Sequence, residues 1–277
     1  MARIGKEVGM TDLQIGVVGC AGRMGINLLR QITATDGCAV AGGSERPGHE
    51  AIGQDLGELA GLGTLNMAAE ADPRAMFERA AVVLDFTAPA ATVAHAALAV
   101  ETGTNLVIGT TGLSAEDDAA ISKAAETIAV MREGNMSLGV NVLAQLTKQL
   151  ASALDDEFDI EIVEMHHRYK VDAPSGTAYL LGRAAAAGRG VEHDAVATGG
   201  RHGITGERRR GDIGYAALRG GNVAGEHTVI FAADDERVEL THKAADRAIF
   251  ARGAVRAARW LADKKTGLYG MADVLGL

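Results

Sequence analysis

Cysteine is nearly missing: Cys20 and Cys38 are the only two in 277 residues, too few for a disulfide framework. Their apolar or glycine-rich neighbours show no metal-ligand spacing, so both are expected to be small buried side chains. Aromatic residues are scarce at 4% against 36 glycines, which predicts small-residue turns and alanine-rich helices. No stretch of about 18 consecutive apolar residues occurs, so no membrane span is expected. The opening MARIGKEVGMTDLQ has no continuous apolar core after its basic residues. That argues against a secretory signal and predicts a cytoplasmic protein. Positive charge is also in deficit. A formal net charge of −9 argues against a nucleic-acid binder driven by bulk electrostatics, although a local positive pocket for an anion is still allowed.

What is present is ordinary globular composition, 47% apolar and 23% charged, in a chain long enough for one large domain or two modest ones. The runs LQIGVVG, CAVAGGSE, AAVVLDFTAP, TNLVIGTTG and TIAVMREGN have strand length and continuous apolarity. Helical patterns such as INLLRQI and ATVAHAALAVETG separate them, the second ending at Gly103. Ser114 and Asp117 stand in capping-box spacing at the start of SAEDDAAISKAAE. Alternation of this kind predicts a parallel sheet covered on both faces.

After about residue 138 the pattern changes. LGVNVLAQLTKQLASAL is an amphipathic helix, and FDIEIVEMHH places Phe158, Ile160 and Ile162 on one face of a strand. TAYLLGRAAAA is helical, and GDIGYAALRGG, EHTVIFAA and ERVELTHKA are short strands divided by turn residues. An open, mostly antiparallel sheet is expected there. RAIFARGAVRAARWLADK closes the chain as a helix. There are no repeats and no low-complexity linker.

In GVVGCAGRMG, Gly19, Gly22 and Gly25 stand three apart where a strand opens into a helix. Glycine lets the backbone turn sharply there and approach a pyrophosphate held by helix amides. The next strand ends at Glu45-Arg46. A carboxylate suits the ribose hydroxyls of NADH and a guanidinium the 2′-phosphate of NADPH, so both cofactors are expected. Thr87, Thr110 and Thr111 follow strands where parallel sheets place ligand loops, with helix capping as the bland alternative.

The segment EMHHRYKVDAPSGTA, residues 164 to 178, concentrates proton carriers ahead of a helix entrance. Amides at Ser175, Gly176 and Thr177 would favour a carboxylate or phosphate, with Lys170 supplying an ammonium for the same anion or donating a proton. As a continued strand, His166 and Lys170 would lie ~13 Å apart at about 3.3 Å per residue, whereas a turn would bring them closer. Both arrangements are open at this level. The run GERRRGD, residues 206 to 212, reads as a solvated loop, and His242-Lys243 as the end of a strand.

The motifs GCAGRMG, DFTAP, GTTG, GNMSLGVN, EMHHRYKVDAPSGTA, RHGITGER, GEHTVIFA and ERVELTHKA occur in this order along nearly the whole chain. Together they resemble the bacterial dihydrodipicolinate reductases, also called 4-hydroxy-tetrahydrodipicolinate reductases, of lysine and diaminopimelate biosynthesis. The resemblance implies an α/β fold with a Rossmann-like dinucleotide domain over residues 12–137 and 247–277. It implies a smaller α+β substrate-binding and tetramerisation domain with an open mixed sheet over 138–246. It further implies reduction of a cyclic imine dicarboxylate by NADH or NADPH, with loss of water, in a homotetramer that binds neither nucleic acid nor membrane.

By the same resemblance His166 is the catalytic proton donor or acceptor, and Lys170 is a second proton donor that also meets substrate. His167, Ser175, Gly176 and Thr177 are implied substrate contacts. Gly19, Cys20, Ala21, Gly22, Arg23, Met24, Glu45, Arg46, Gly109, Thr110, Thr111, Glu133, Gly134, Asn135 and Met136 fall where the family contacts cofactor. Arg132-Glu133-Gly134 departs from the small or apolar residues expected before Asn135. The competing readings are another two-domain NAD(P)H reductase of an amino-acid-derived carboxylate, and a non-catalytic dinucleotide sensor. The acid-base cluster speaks against the sensor.

Overall fold

The computed structural model describes residues 12–277, so most of the segment behind the secretory-signal expectation lies outside the described residues. Contacts divide the chain into two units. One runs to Met136 and resumes over Phe250–Gly276, and the other is Ser137–Ile249.

The first unit opens with β1 (Leu13–Val18), α1 (Arg23–Ala34) and β2 (Cys38–Ser44). Two short helices follow, α2 (Leu56–Ala60) and α3 (Arg74–Arg79), then β3 (Val82–Asp85) and α4 (Pro89–Thr102). β4 (Asn105–Ile108), α5 (Ala115–Ala124) and β5 (Ala129–Arg132) complete the alternation. Every residue of β2 and β3 is buried, as a sheet covered on both faces requires. α4 ends on Gly103 at φ 71°, the left-handed cap that glycine adopts without a Cβ penalty. α5 begins with the expected Ser114–Asp117 capping box.

The second unit contains α6 (Leu138–Ala153), β6 (Asp159–His166), α7 (Gly176–Arg189), α8 (His193–Val196) and β7 (Ala197–Gly199), then β8 (Ile213–Arg219), β9 (Gly225–Ala232) and β10 (Arg237–Ala244). α9 (Ala248–Leu261), β11 (Gly267–Tyr269) and α10 (Met271–Leu275) end the chain. β11 joins the first sheet, whose order is β11-β5-β4-β3-β1-β2 with every pairing parallel.

The second sheet has the order β10-β9-β6-β8-β7. β10, β9 and β6 pair antiparallel, while β6, β8 and β7 pair parallel. The sheet is therefore mixed, as the family resemblance implied, with two antiparallel and two parallel pairings where the strand pattern alone suggested a mostly antiparallel one. Its two parallel pairings arise because helices α7 and α8 intervene between β6 and β7, and a long segment carries β7 into β8. One face is sealed by Leu143 and Ala144 of α6 and Leu181 and Ala185 of α7, packed with Ile160, Ile162, Val229 and Phe231.

His242 and Lys243 stand directly before Ala244, the last residue of β10, as expected at a strand end, whereas one further expectation changes. Arg208 is not solvated: its guanidinium reaches Asp159 at 2.6 Å and Glu161 at 2.9 Å, and donates to the Ile160 and Asp212 carbonyls. A planar fork with five donors can bridge two acidic side chains and two carbonyls at once, which no composition rule for arginine runs detects.

Candidate active site

In the first unit the glycine loop connects β1 to α1. Gly19 takes φ 67°, outside the range L side chains favour. A Cβ at Gly25 would lie 2.2 Å from the Gly19 carbonyl oxygen, so the first turn of α1 presses directly on the strand exit. Gly22 caps α1 without a side-chain bond, and the first turn carries no acidic residue. That leaves the positive helix end available to an anion. Glu45, just past β2, sends one carboxylate oxygen to the Ala21 amide at 3.2 Å and the other to the Arg46 amide at 3.1 Å. The carboxylate expected to meet a ribose thus stands against the phosphate-type loop, and the donor set fits a dinucleotide. Arg23 and Arg46 are exposed, and Met24 is half-buried.

Cys20 is buried, and burial, reinforced by Glu45, pushes its thiol up to about 12, so it packs rather than reacts. Both cysteines are free and buried, as expected.

The loops after β3 and β4 belong to the same region of the sheet. α4 is capped by Ala88 and α5 by Ser114, so Thr87 and Thr110 are not helix caps. Their hydroxyls instead meet at the buried Asp85. Gly109 is required by packing, since a Cβ there would enter the Phe86 ring at 2.0 Å. Thr111 is exposed. After β5, the Glu133 carboxylate accepts from the Gly134 amide at 3.1 Å and the Met271 amide at 3.4 Å, and burial raises it above the usual carboxylate range. Its side chain therefore anchors the start of α10. Gly134 is exposed, whereas Met136 is buried with its carbonyl against Gly253. Backbone groups of residues 133–136 are what this segment offers a ligand.

In the second unit β6 is the central strand, and its buried face runs Ile160, Ile162, Glu164, His166. The apolar period of two continues into a carboxylate and an imidazole. Glu164 is 1% exposed and accepts four bonds: His166 Nδ1 at 2.6 Å, Arg219 Nη1 and Nη2 at 2.8 Å each, and the Ser175 amide at 3.1 Å. Register explains the assembly, because His166 pairs with Arg219 on β8, and Glu164 with His227 on β9. Burial opposes the Glu164 charge, but the bonds from Arg219 and His166 win and hold its carboxyl below the usual range. Burial also lowers His166, while Glu164 pulls it back up.

With Nδ1 donated to Glu164, Nε2 is the nitrogen left for chemistry. A Cβ at Gly225 would sit 3.0 Å from that Nε2, so glycine keeps the ring's outer edge clear.

The strand stops at His166, and the Lys170 amide bonds the His167 carbonyl at 3.1 Å. The turn is the arrangement adopted, and Lys170 folds back toward the site. Its ammonium is held by both carboxylate oxygens of Asp172, at 2.7 and 2.8 Å. His167 keeps Nδ1 buried without a hydrogen-bond partner. Gly176 is exposed and Thr177 half-buried in the first turn of α7.

Ser175 does not suit the substrate contact expected of it. It is buried, its amide goes to Glu164, and its hydroxyl accepts from Ala178 and meets His227 Nε2 at 3.0 Å. The residues that sequence reasoning missed are Glu164, Arg219, Asp172 and His227. Among the described residues no group of three side chains could hold a metal ion, and no helix is long and apolar enough to cross a membrane.

His227 makes an acid-stability prediction. Burial first, and the nearby His166 second, lower its ring from 6.5 to about 4. The unfolded chain binds this proton below about 6.5 and the folded chain only below about 4, so stability is lost as pH falls through that window. The loss amounts to about 3 kcal/mol at most. Urea denaturation at pH 7 and pH 4 should show a smaller difference for His227→Gln than for the parent chain.

The comparisons agree with both units. The family model described as dihydrodipicolinate reductase, N-terminus, matches residues 13–136, and that described as dihydrodipicolinate reductase, C-terminus, matches residues 139–275. A 4-hydroxy-tetrahydrodipicolinate reductase of Afipia carboxidovorans is 57% identical over 268 residues, covering 97% of this chain and 98% of the relative. The enzyme of that name from Ruegeria pomeroyi is 56% identical over 263 residues, 95% of this chain and 98% of its own. In fold, the chain is similar to a dipicolinate-bound dihydrodipicolinate reductase from Paenisporosarcina sp. TG-14. The TM-score is 0.73 at 23% identity, over 95% of this chain and 99% of that one.

Proposed function

The chain belongs to the dihydrodipicolinate reductase family, and on that premise we propose that it reduces 4-hydroxy-2,3,4,5-tetrahydrodipicolinate to 2,3,4,5-tetrahydrodipicolinate, releasing water. This is a step of lysine and diaminopimelate biosynthesis. The observation that carries the reading is the Glu164-held His166 beside the Lys170 turn and the α7 N-terminus. The dinucleotide would be held by the 19–24 loop, Glu45, Arg46 and the loops at 109–111 and 133–136. When bound, the reduced nicotinamide supplies the hydride.

The chain's own residues supply the rest. Once the 4-hydroxyl has left as water the ring imine is conjugated, and the electron density that then arrives with the hydride has to be met by a proton; we assign that task to His166 Nε2 and the Lys170 ammonium. In the free protein His166 is held toward its neutral form. A ligand bearing two carboxylates favours the imidazolium, so substrate itself charges the acid. Lys170 exchanges the Asp172 carboxylate for one from substrate, and the Gly176 and Thr177 amides together with the Thr177 hydroxyl hold the other at the helix end. Self-association through the 138–246 domain into a homotetramer and a cytoplasmic location follow from the same family reading.

Both NADH and NADPH serve as reductant, with Glu45 serving the ribose and the exposed Arg46 the 2′-phosphate. Arg46→Ala should raise the NADPH KM more than the NADH KM, a loss of about 1.5–3 kcal/mol for one charged partner. Equal changes would remove Arg46 from this role.

Competition by pyridine-2,6-dicarboxylate tests the substrate site. This planar dicarboxylate resembles the product but has no reducible imine, so it should compete with substrate. Thr177→Val should weaken it by roughly tenfold, as for loss of one hydrogen bond to a charged group, and leave binary cofactor binding unchanged. Unaltered inhibition would mean that Thr177 only begins a helix.

A further inference from the structure

Asp85 is fully buried at the end of β3, yet it is ionisable and lies on no surface. One carboxylate oxygen accepts from the Thr87 amide at 2.9 Å and the Thr87 hydroxyl at 2.6 Å, with the Thr110 hydroxyl at 3.4 Å. The other meets Nδ1 of His95 on α4 at 2.8 Å. Thr110 is tied a second time, accepting from the Thr87 amide at 3.1 Å and the Thr92 hydroxyl at 2.8 Å. A closed polar network of this kind is costly to bury unless every member is satisfied, and it locks two separate loops to one anchor.

The anchor's place in the sheet says what the loops are for. β1 runs between β2 and β3, so the chain's order reverses on either side of it, and ligands of such sheets lie across the crevice at that reversal. Val18, the last residue before the glycine loop, is in register with Asp85. A Cβ on Gly19 would come within 3.0 Å of the Thr87 methyl. Glu45 stands on the β2 side of the loop, where it suits the adenosine ribose, so the nicotinamide half has to extend the other way, over β3 and β4.

We infer that the Asp85–His95 pair is a positioning device for the nicotinamide half of the dinucleotide. The carboxylate fixes the Thr87 and Thr110 loops beneath that half, and the His95 ring fixes the carboxylate. His95 touches no ligand in this arrangement. Its ring packs 6.1 Å from that of Phe77 in the core and acts through Asp85.

The inference rests on the glycine loop being the dinucleotide site, and the test separates the two. Binding of NADH, and separately of ADP, is measured by calorimetry on the full chain for the parent, His95→Leu and His95→Asn. Leucine removes the donor to Asp85, whereas asparagine returns an N–H near the Nδ1 position. His95→Leu should lose about tenfold in NADH affinity, the size of one charge-assisted hydrogen bond, with ADP affinity unchanged. His95→Asn should recover most of the loss. If His95→Leu weakens NADH and ADP equally, or neither, the pair is only part of the core and the inference falls. A parent chain that binds neither ligand would overturn the glycine-loop reading and this inference with it.

Discussion

His166→Gln and Lys170→Met should each lower turnover by ~10²–10⁴-fold, the usual range for losing a positioned proton donor. The two losses should differ in kind. Lys170 is bound to Asp172 by both carboxylate oxygens and is the ammonium that the proposed function gives to a substrate carboxylate, so its removal should raise the substrate KM as well as lower kcat. His166 is buried and oriented through Nδ1, so its removal should act mainly on kcat and flatten one limb of the pH profile. Binary cofactor affinity should be unchanged in both, because neither residue belongs to the glycine-loop unit. A folded Lys170→Met protein with near-normal turnover would reduce the lysine to a surface charge.

The second large effect is expected at Glu164. Its carboxylate is 1% exposed and satisfies His166, Arg219 and the Ser175 amide together. Glu164→Leu would leave the buried His166 Nδ1 and the Ser175 amide without an acceptor, at about 1–3 kcal/mol for each buried group left unpaired, readable as a fall in the urea midpoint. Glu164→Gln keeps size and one acceptor, so more of the fold should survive and the catalytic effect becomes visible. Loss of one charge-assisted bond should reduce kcat by roughly 10–100-fold. Glu164 supports the charged form of His166 against burial and against Lys170 and Arg219. Without it the ring's pKa falls further, and the pH limb that reports the acid should move to lower pH. An unmoved limb would separate Glu164 from His166.

How much of this was legible in the sequence depends on how local each signal is. β1 with the glycine loop, the α5 capping box and the Gly103 cap are written in adjacent residues, and each was visible. Short elements such as α2, α3, β7 and β11, three to six residues each, carry too little periodicity to declare themselves. His166 and Lys170 stood out as a cluster and through a family motif. Glu164 had a signal too, two residues before His166 on the face already assigned to Ile160 and Ile162, as a polar residue continuing an apolar period. Arg219 had none, and His227 lay in the motif GEHTVIFA with nothing to mark it for a role. Their positions depend on the pairing of β6 with β8 and β9, more than 50 residues away along the chain, and register of that range is not written locally. Arg208 failed for the same reason, since its partners Asp159 and Glu161 lie on a distant strand.

The most direct measurement follows a labelled hydride. Substrate generated in place by its upstream synthase is offered with NADH deuterated at both positions of nicotinamide C4, and the cyclic product is examined by mass spectrometry. The account predicts cofactor oxidation in step with a product that has gained one deuterium at carbon, with both signals falling together in Lys170→Met. Binding of NADH with no oxidation, or oxidation that leaves the product unlabelled, would contradict it.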